Sequence, residues 1–587
     1  MEVERKMLPF LWLLAWVIAF MVPVTQHWIR EKWRYITLAG VGTLFGFIGI
    51  ATATIDCYMV LLLVFMKLLL VAIELILAYM DSEYGEWKSI FKNKNKAYKW
   101  LTTLSLLALI IFSIMSLWQV GAVSGVNNAG VFQQMIEFQP AGTPIFQNEI
   151  ANNMLRLTTE ELAKSIALRN AAHFGSVQVG SAHITLYDNR LVWVVTMLSP
   201  NLMGDNTIKG YVVVDANNPE ADVEIIDKVF RVGEGLIYFP PFYTGGIQGS
   251  AYWGISTSDA YGRATLTTDD NGEWKYVLTA TNVEQWSFVT LPKGVYVYNE
   301  YGQVEEFYSM KDMPDWVTQR YDEGWLESMI NAWGGHKRGD GFDVWAGGFL
   351  WIPASTNRVE MSDDTRWIID PDSNQIVAIV SVDPVGQVQT MSGVFKATKE
   401  GILYYDVSTL GIKSGLQAQN VVGSHILKTT TGLFEPQMPL MYMINGRYAW
   451  FVPINWHVTE KEAQSEQETI KLAGLAIVDA VDLDHYSMVM TSEGYQGAAL
   501  VAEAKRKFLS GEVVPQTEKT VSGTIEAKFS YVNNGNTIYV LTINGTKYKV
   551  DTQDLNFQVV SRIENLQVNE QTTIIVNTSD EFIRFPD

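Results

Sequence analysis

The chain has 587 residues, 48% of them hydrophobic, with 43 basic and 63 acidic side chains and a formal net charge of −20. A surface that acidic repels phosphate backbones, which excludes nucleic acid as an expected partner. The single cysteine, Cys57, excludes a disulfide framework and a thiolate metal centre.

Four apolar stretches, 8–26, 35–55, 58–80 and 100–120, crowd the first 122 residues. Each approaches the ~20 residues needed to cross ~30 Å of hydrocarbon, so the pattern predicts a membrane α-helical bundle of four spans over 1–122. The loops carrying Arg30, Lys32 and Arg34, and then Lys88, Lys92, Lys94, Lys96 and Lys99, are basic. Basic loops stay cytoplasmic, which predicts a multipass protein of the cell membrane with residues 121–587 outside the cytoplasm. A three-span alternative makes 35–55 re-entrant and leaves the large region outside as well. Within the third span, Lys67 and Glu74 are seven apart and share one helix face. Charges at that depth are costly, and read either as an assembly pair or as an ion or proton pathway. Gly42, Gly46, Gly49 and Ala53 are small residues that let helices approach closely, within the bundle or in a homo-oligomer.

Beyond the spans, the patterning predicts mixed α+β structure, mostly β. The first α+β domain covers 123–310, the second 311–510, and a small β-barrel 519–587, after a linker at 511–519. Thr158 with Glu161 predicts a helix start, in a Thr-x-x-Glu capping pattern, and Leu162, Ile166 and Leu168 its apolar positions. Strands are expected at 177–186, 191–198 and 210–216, and turns at Asp188-Asn189-Arg190, Asn271-Gly272, Asn445-Gly446, Asn534-Gly535 and Asn544-Gly545. Residues 313–334 read as one helix, from the spacing of Trp316, Tyr321, Trp325 and Met329, and a last helix is expected at 498–509.

One pattern repeats. The segments 188–193 and 210–216 (DNRLVW, GYVVVDA) return as 445–450 and 474–480 (NGRYAW, GLAIVDA), with a third, partial copy at 349–353 and 367–371. Trp193, Trp450 and Trp351 are its aromatics, and Asp215, Asp479 and Asp370 close its strands. Such self-similarity implies a duplicated supersecondary unit. Those aspartates read as turn starters before they read as catalytic carboxylates or metal ligands. The helix at 160–172, with strands at 175–186, 191–197 and 211–216, resembles the PepSY-like repeat of exported bacterial proteins, over some 65 residues. The tail, with Ser522-Gly523-Thr524-Ile525, two Asn-Gly turns and 566–576, resembles a small OB-like barrel. The first resemblance implies binding or regulation at the cell surface rather than catalysis, the second a barrel that binds or merely caps an assembly, and neither carries over a site residue.

No catalytic signature is visible. The histidines form neither His-x-x-x-His nor His-Glu-x-x-His, and no Gly-x-Ser-x-Gly or phosphate loop occurs. The glycine-rich stretches 244–250 and 333–341 read as loops, and Asp269-Asp270-Asn271-Gly272 as a hairpin turn rather than a calcium loop. No catalytic, cofactor or metal residue is assigned, and no cofactor is expected. The sequence therefore reads as a membrane-anchored binding or scaffold protein of a cell envelope, or of a virus assembling at one. Its partners would be membrane lipid and an envelope protein or peptide. The alternative is a membrane transporter or enzyme subunit regulated by its outer domain.

Overall fold

The computed structural model describes residues 124–199, 207–234, 246–256, 259–284, 289–338, 341–342, 358–362, 365–386, 390–426, 432–459, 468–510, 519–533, 536–551, 557–576 and 582–585. Strand dominates the described residues. The four-span bundle is corrected here, and with it the membrane localisation: no described helix is long and apolar enough to cross a membrane. The longest described helices, Glu323–His336 and Gly497–Ser510, have 14 residues each, short of the ~20 a crossing needs. Lys67, Glu74, Gly42, Gly46, Gly49 and Ala53, with the four apolar stretches themselves, lie outside the described residues. In the described part the apolar residues go into strands and into single buried helix faces. Contacts divide the chain into two compact units, Met1–Leu416 and Gln417–Asp587.

The first unit holds three large antiparallel sheets. Helices α1 (Ser124–Met135) and α2 (Glu160–Asn170) bracket a short strand, β1 (Ile136–Phe138). The Thr159 side chain caps α2, accepting from the Leu162 N–H at 3.2 Å. Leu162, Ala163, Ile166 and Ala167 form the buried face, while Leu168, expected inside, is exposed because it lies about half a turn away from Ile166. Strands β2 (Gln178–Tyr187), β3 (Arg190–Leu198), β4 (Ile208–Asp215) and β5 (Glu224–Ile226) form the first sheet in that order. Helix α2 packs on it. Helix α3 (Ile247–Gly254) then leads into the second sheet, β6 (Asp259–Thr268), β7 (Trp274–Val283), β8 (Thr290–Tyr298) and β9 (Val304–Ser309). The two sheets share a core in which Val192, Val194, Tyr211 and Val213 meet Trp274, Tyr276, Leu278 and Tyr296. Covered by α2 on one face and the second sheet on the other, β3 is buried almost end to end, so it does not alternate in polarity.

Helix α4 (Glu323–His336) is shorter than the sequence predicts. Asp322 Oδ2 accepts from the Trp325 N–H at 2.8 Å and starts the helix there. Upstream, the Arg320 guanidinium donates to the Met313 and Pro314 carbonyls and holds 313–320 as a turn. Trp333 through His336 finish the helix, so this glycine-rich stretch begins as helix rather than loop, as 247–250 does in α3. A Cβ at Gly334 would collide with the Val359 carbonyl, so glycine is what lets α4 lie on the third sheet. After a two-residue hairpin, β10 (Lys337–Arg338) and β11 (Gly341–Phe342), come β12 (Val359–Met361), β13 (Arg366–Ile369), β14 (Ile376–Pro384), β15 (Gly393–Ala397) and β16 (Ile402–Asp406). The sheet order is β1-β16-β15-β14-β12, with β13 also on β14 and β1 parallel to β16.

The second unit follows α5 (Gly415–His425) with β17 (Gly432–Pro436), β18 (Leu440–Ile444), β19 (Arg447–Thr459), β20 (Glu468–Asp479) and β21 (Tyr486–Met490), covered by α6 (Gly497–Ser510). Pro453 sits in β19 where one neighbour, β18, gives way to another, β17, so its missing N–H interrupts no ladder. The tail has β22 (Lys519–Asn533), β23 (Asn536–Ile543), β24 (Thr546–Asp551), α7 (Phe557–Asn565), β25 (Gln571–Val576) and β26 (Phe582–Arg584), in order β24-β23-β22-β25-β26. β22 pairs with β25 through its first half and with β23 through its second.

The repeated pattern has one geometry in its two full copies. Trp193 lies opposite Val214 and Val192 opposite Asp215; Trp450 lies opposite Val478 and Ala449 opposite Asp479. The Ala216 N–H donates to the Leu191 carbonyl, and the Ala480 N–H to that of Tyr448. Asp215 Oδ1 accepts from the N–H groups of Asn217 and Asn218, at 2.8 and 2.9 Å. Asp479 Oδ1 does the same for Val481 and Asp482, at 2.9 and 3.0 Å. Both aspartates are turn caps. The third segment departs: Asp370 closes the β13–β14 hairpin and pairs with buried Lys396 at 2.8 Å, and Trp351 lies outside the described residues.

Candidate functional site

Chemistry gathers where the first two sheets meet the entry to α4. β2 and β6 each carry a bulge there, between Val179 and Ala182 and between Tyr261 and Ala264. Each bulge contains a glycine against which a side chain lies. A Cβ at Gly180 would collide with Thr196 Oγ1, and one at Gly262 with both Asp322 Oδ1 and Thr279 Oγ1. Bulges re-aim side chains next to sites, and these two turn their polar groups toward one another.

The deeper layer is a buried node around Glu234. His183 Nε2 and the Tyr276 hydroxyl each donate to Glu234 Oε1 at 2.7 Å. The Ser181 N–H and Thr196 Oγ1 donate to Oε2 at 3.0 and 3.1 Å. Burial by itself raises the Glu234 carboxyl, but the charge and hydrogen bond of His183, with Tyr276 and Ser181, outweigh it and hold the group at about 2. The same contact raises the Tyr276 hydroxyl well above its ordinary range, through burial first and the carboxylate second.

In front of this node lies a cleft walled by His183, Arg263, Thr265, Thr279, Tyr321 and the pair Asp322 and Glu323. Thr279 is 5% exposed, and its Oγ1 has no hydrogen-bond partner among the described residues. Asp322 caps α4 and also takes the Arg263 backbone N–H, fastening the helix to the β6 bulge. Glu323 Oε2 accepts from Trp367 Nε1 at 3.0 Å. Burial raises both carboxyls. Tyr321 stacks on Trp325 at 5.8 Å, and burial pushes its hydroxyl up to about 12. The site thus offers oxygen acceptors, an aromatic wall and buried carboxylates, an environment suited to positive charge. Among the described residues no His, Cys, Asp and Glu group could hold a metal ion.

Sequence reasoning singled out none of these groups for a site. His183 was visible as one of seven histidines, but His173, ten residues earlier, meets Asp227 on the surface instead. His457 pairs with Glu435 and His485 reaches the Phe508 carbonyl, so the histidines stay apart. Trp193 and Trp450 are core residues, and Trp193 Nε1 donates to the Thr158 carbonyl at 2.8 Å. Glu234 carried one signal, an isolated acid in an apolar, glycine-rich run. Asp322 carried another, its place three residues before Trp325 at a helix start. The duplication itself points to His183: matched through Trp193 and Trp450, it stands where the second copy has buried Leu440.

No family model matches this chain, and no curated protein does. Among solved structures, two variants of B. megaterium levansucrase align over 80% of this chain and 96% of theirs, at 10% and 11% identity with TM-scores of 0.17 and 0.16. Similarity at that level carries no argument about the fold or activity of this chain.

Proposed function

We propose that this chain is a binding protein, a scaffold of helix-plus-antiparallel-sheet units that recognises a protein or peptide. The observation that carries the reading is the duplicated Trp-strand and Asp-turn unit, one copy of which holds a polar cleft in place of plain core. A shared framework with a copy-specific polar insertion is how a recognition surface is added without disturbing packing. A PepSY-like unit would place α2 against β2–β4 as here. The five strands of the tail, β22 to β26, support an OB-like reading, whose implied role is binding or capping an assembly. The PepSY-like resemblance favours binding over catalysis. The test is selection of displayed peptides on the full chain. Enrichment of a consensus whose members bind saturably and are released unchanged supports the reading. Failure to enrich any consensus, or chemical conversion of the bound peptide, overturns it.

A further inference from the structure

We infer that the cleft between β2, β6, β7 and the entry to α4 binds a primary ammonium group, with Thr279, Asp322 and Glu323 as its acceptors and Tyr321 as its aromatic wall. Thr279 is the starting point. A buried hydroxyl without a partner is costly, and this one belongs to a residue that lines the cleft. Thr279 Oγ1 and Asp322 Oδ1 both lie against the Gly262 Cα, where a Cβ would strike the two together, so one small donor reaches both. Neither Asp322 nor Glu323 has an ion-pair partner among the described residues. Their donors are the Trp325 and Arg263 N–H groups and the Trp367 indole. Arg263, the cation at the rim, directs its guanidinium to Glu160 at 3.7 Å and to the Ala182 carbonyl at 3.5 Å. Glu160 is also held by Lys164 at 2.6 Å. The Arg263 charge acts on Glu323 from the rim, but no cation among the described residues pairs directly with either carboxylate inside the cleft. An ammonium brings three donors and one charge, which matches a hydroxyl and two carboxylates, and an aromatic face adds cation–π attraction.

This assignment deepens the binding reading by naming the ligand chemistry, and its test separates the two. The full chain is titrated with methylammonium chloride, and separately with an N-acetylated peptide containing one lysine, by calorimetry and tryptophan fluorescence. Trp325 and Trp367 report because they contact Tyr321 and Glu323. Saturable binding of either probe is expected. Affinity should fall about tenfold or more in Thr279→Val and in Glu323→Gln, the loss of a charge-assisted hydrogen bond, and recover in Thr279→Ser. Tetramethylammonium, which cannot donate, should not compete. Tighter binding of the peptide marks a lysine side chain as the natural ligand, and tighter binding of methylammonium a free amine. Thr279→Val should fold at least as stably as the parent, since it removes an unpartnered group. No binding of either probe, equal affinity in the variants, or competition by tetramethylammonium would overturn the assignment and leave water as the occupant. A chain that selects peptides but ignores both amines would lose the ammonium site and keep the binding function; one that binds amine but selects no peptide would do the reverse.

Discussion

Glu234→Gln is the most discriminating substitution, because four donors converge on that carboxylate from strands β2, β3 and β7 of both sheets. A carboxamide fills the same volume but keeps one acceptor oxygen, and it turns an NH2 toward groups that themselves donate. Breaking a buried charged network in this way costs ~3–5 kcal/mol. The dependence on pH gives a second measure. The carboxyl is held at about 2 against an ordinary 4.5, and at ~1.4 kcal/mol per unit this depression is worth about 3 kcal/mol. Because the folded value is the lower one, the contribution is complete above about 4.5 and is lost as pH falls toward about 2. Asp322 and Glu323 act in the opposite sense: burial raises their folded values, so protonating them adds stability as pH falls through those values. Both are present in parent and variant, so the difference between the two proteins isolates Glu234. Urea unfolding of the full chain, followed by tryptophan fluorescence at pH 7, 4.5 and 3, should show the variant weaker at pH 7 and the gap between the two proteins narrowed to roughly half by pH 3. An unchanged midpoint at pH 7, or curves that fall in parallel, would refute the network as a source of stability.

Trp193→Ala and Trp450→Ala should each cost ~3–5 kcal/mol in thermal unfolding, since both rings are core; a loss under ~1 kcal/mol for either would end their equivalence. Lys396→Met strands Asp370 as a buried charge and should cost ~3–5 kcal/mol, whereas adding Asp370→Asn to it should recover most of that. Additive effects in that double-mutant cycle would show that the two are not coupled. Gly334→Ala must displace the Val359 carbonyl and should destabilise by more than ~1 kcal/mol. Gly423→Ala in α5, whose nearest neighbour is Pro436 Cγ at 3.4 Å, should be neutral or gain up to ~1 kcal/mol. Equal melting shifts at the two positions would contradict that contrast.

What the sequence disclosed was local, and what it concealed was assembled from afar. Turns were legible because both central residues of a tight hairpin need positive φ, which Asn445-Gly446 and Asn544-Gly545 supply at 47° and 77°, and at 52° and 74°. The Asp215 and Asp479 caps were legible for the same reason, each bonding N–H groups two and three residues on. No described helix carries an apolar run long enough to cross a membrane, and α2 and α6 bury one face rather than all of them. The helix at 313–334 was drawn too long: aromatic spacing continues upstream of Asp322, but the Arg320 contacts to Met313 and Pro314 override it. The cleft left almost no trace, since residues 183, 263, 279 and 322 come from four elements and Thr279 reads as an ordinary strand residue. Yet the duplication narrows where to look. Two copies folded to one register establish what the framework requires, and Leu440 shows that it requires only an apolar residue at the place of His183. His183 is therefore an addition to the framework, and the cleft it backs is where this copy differs in chemistry from its sibling.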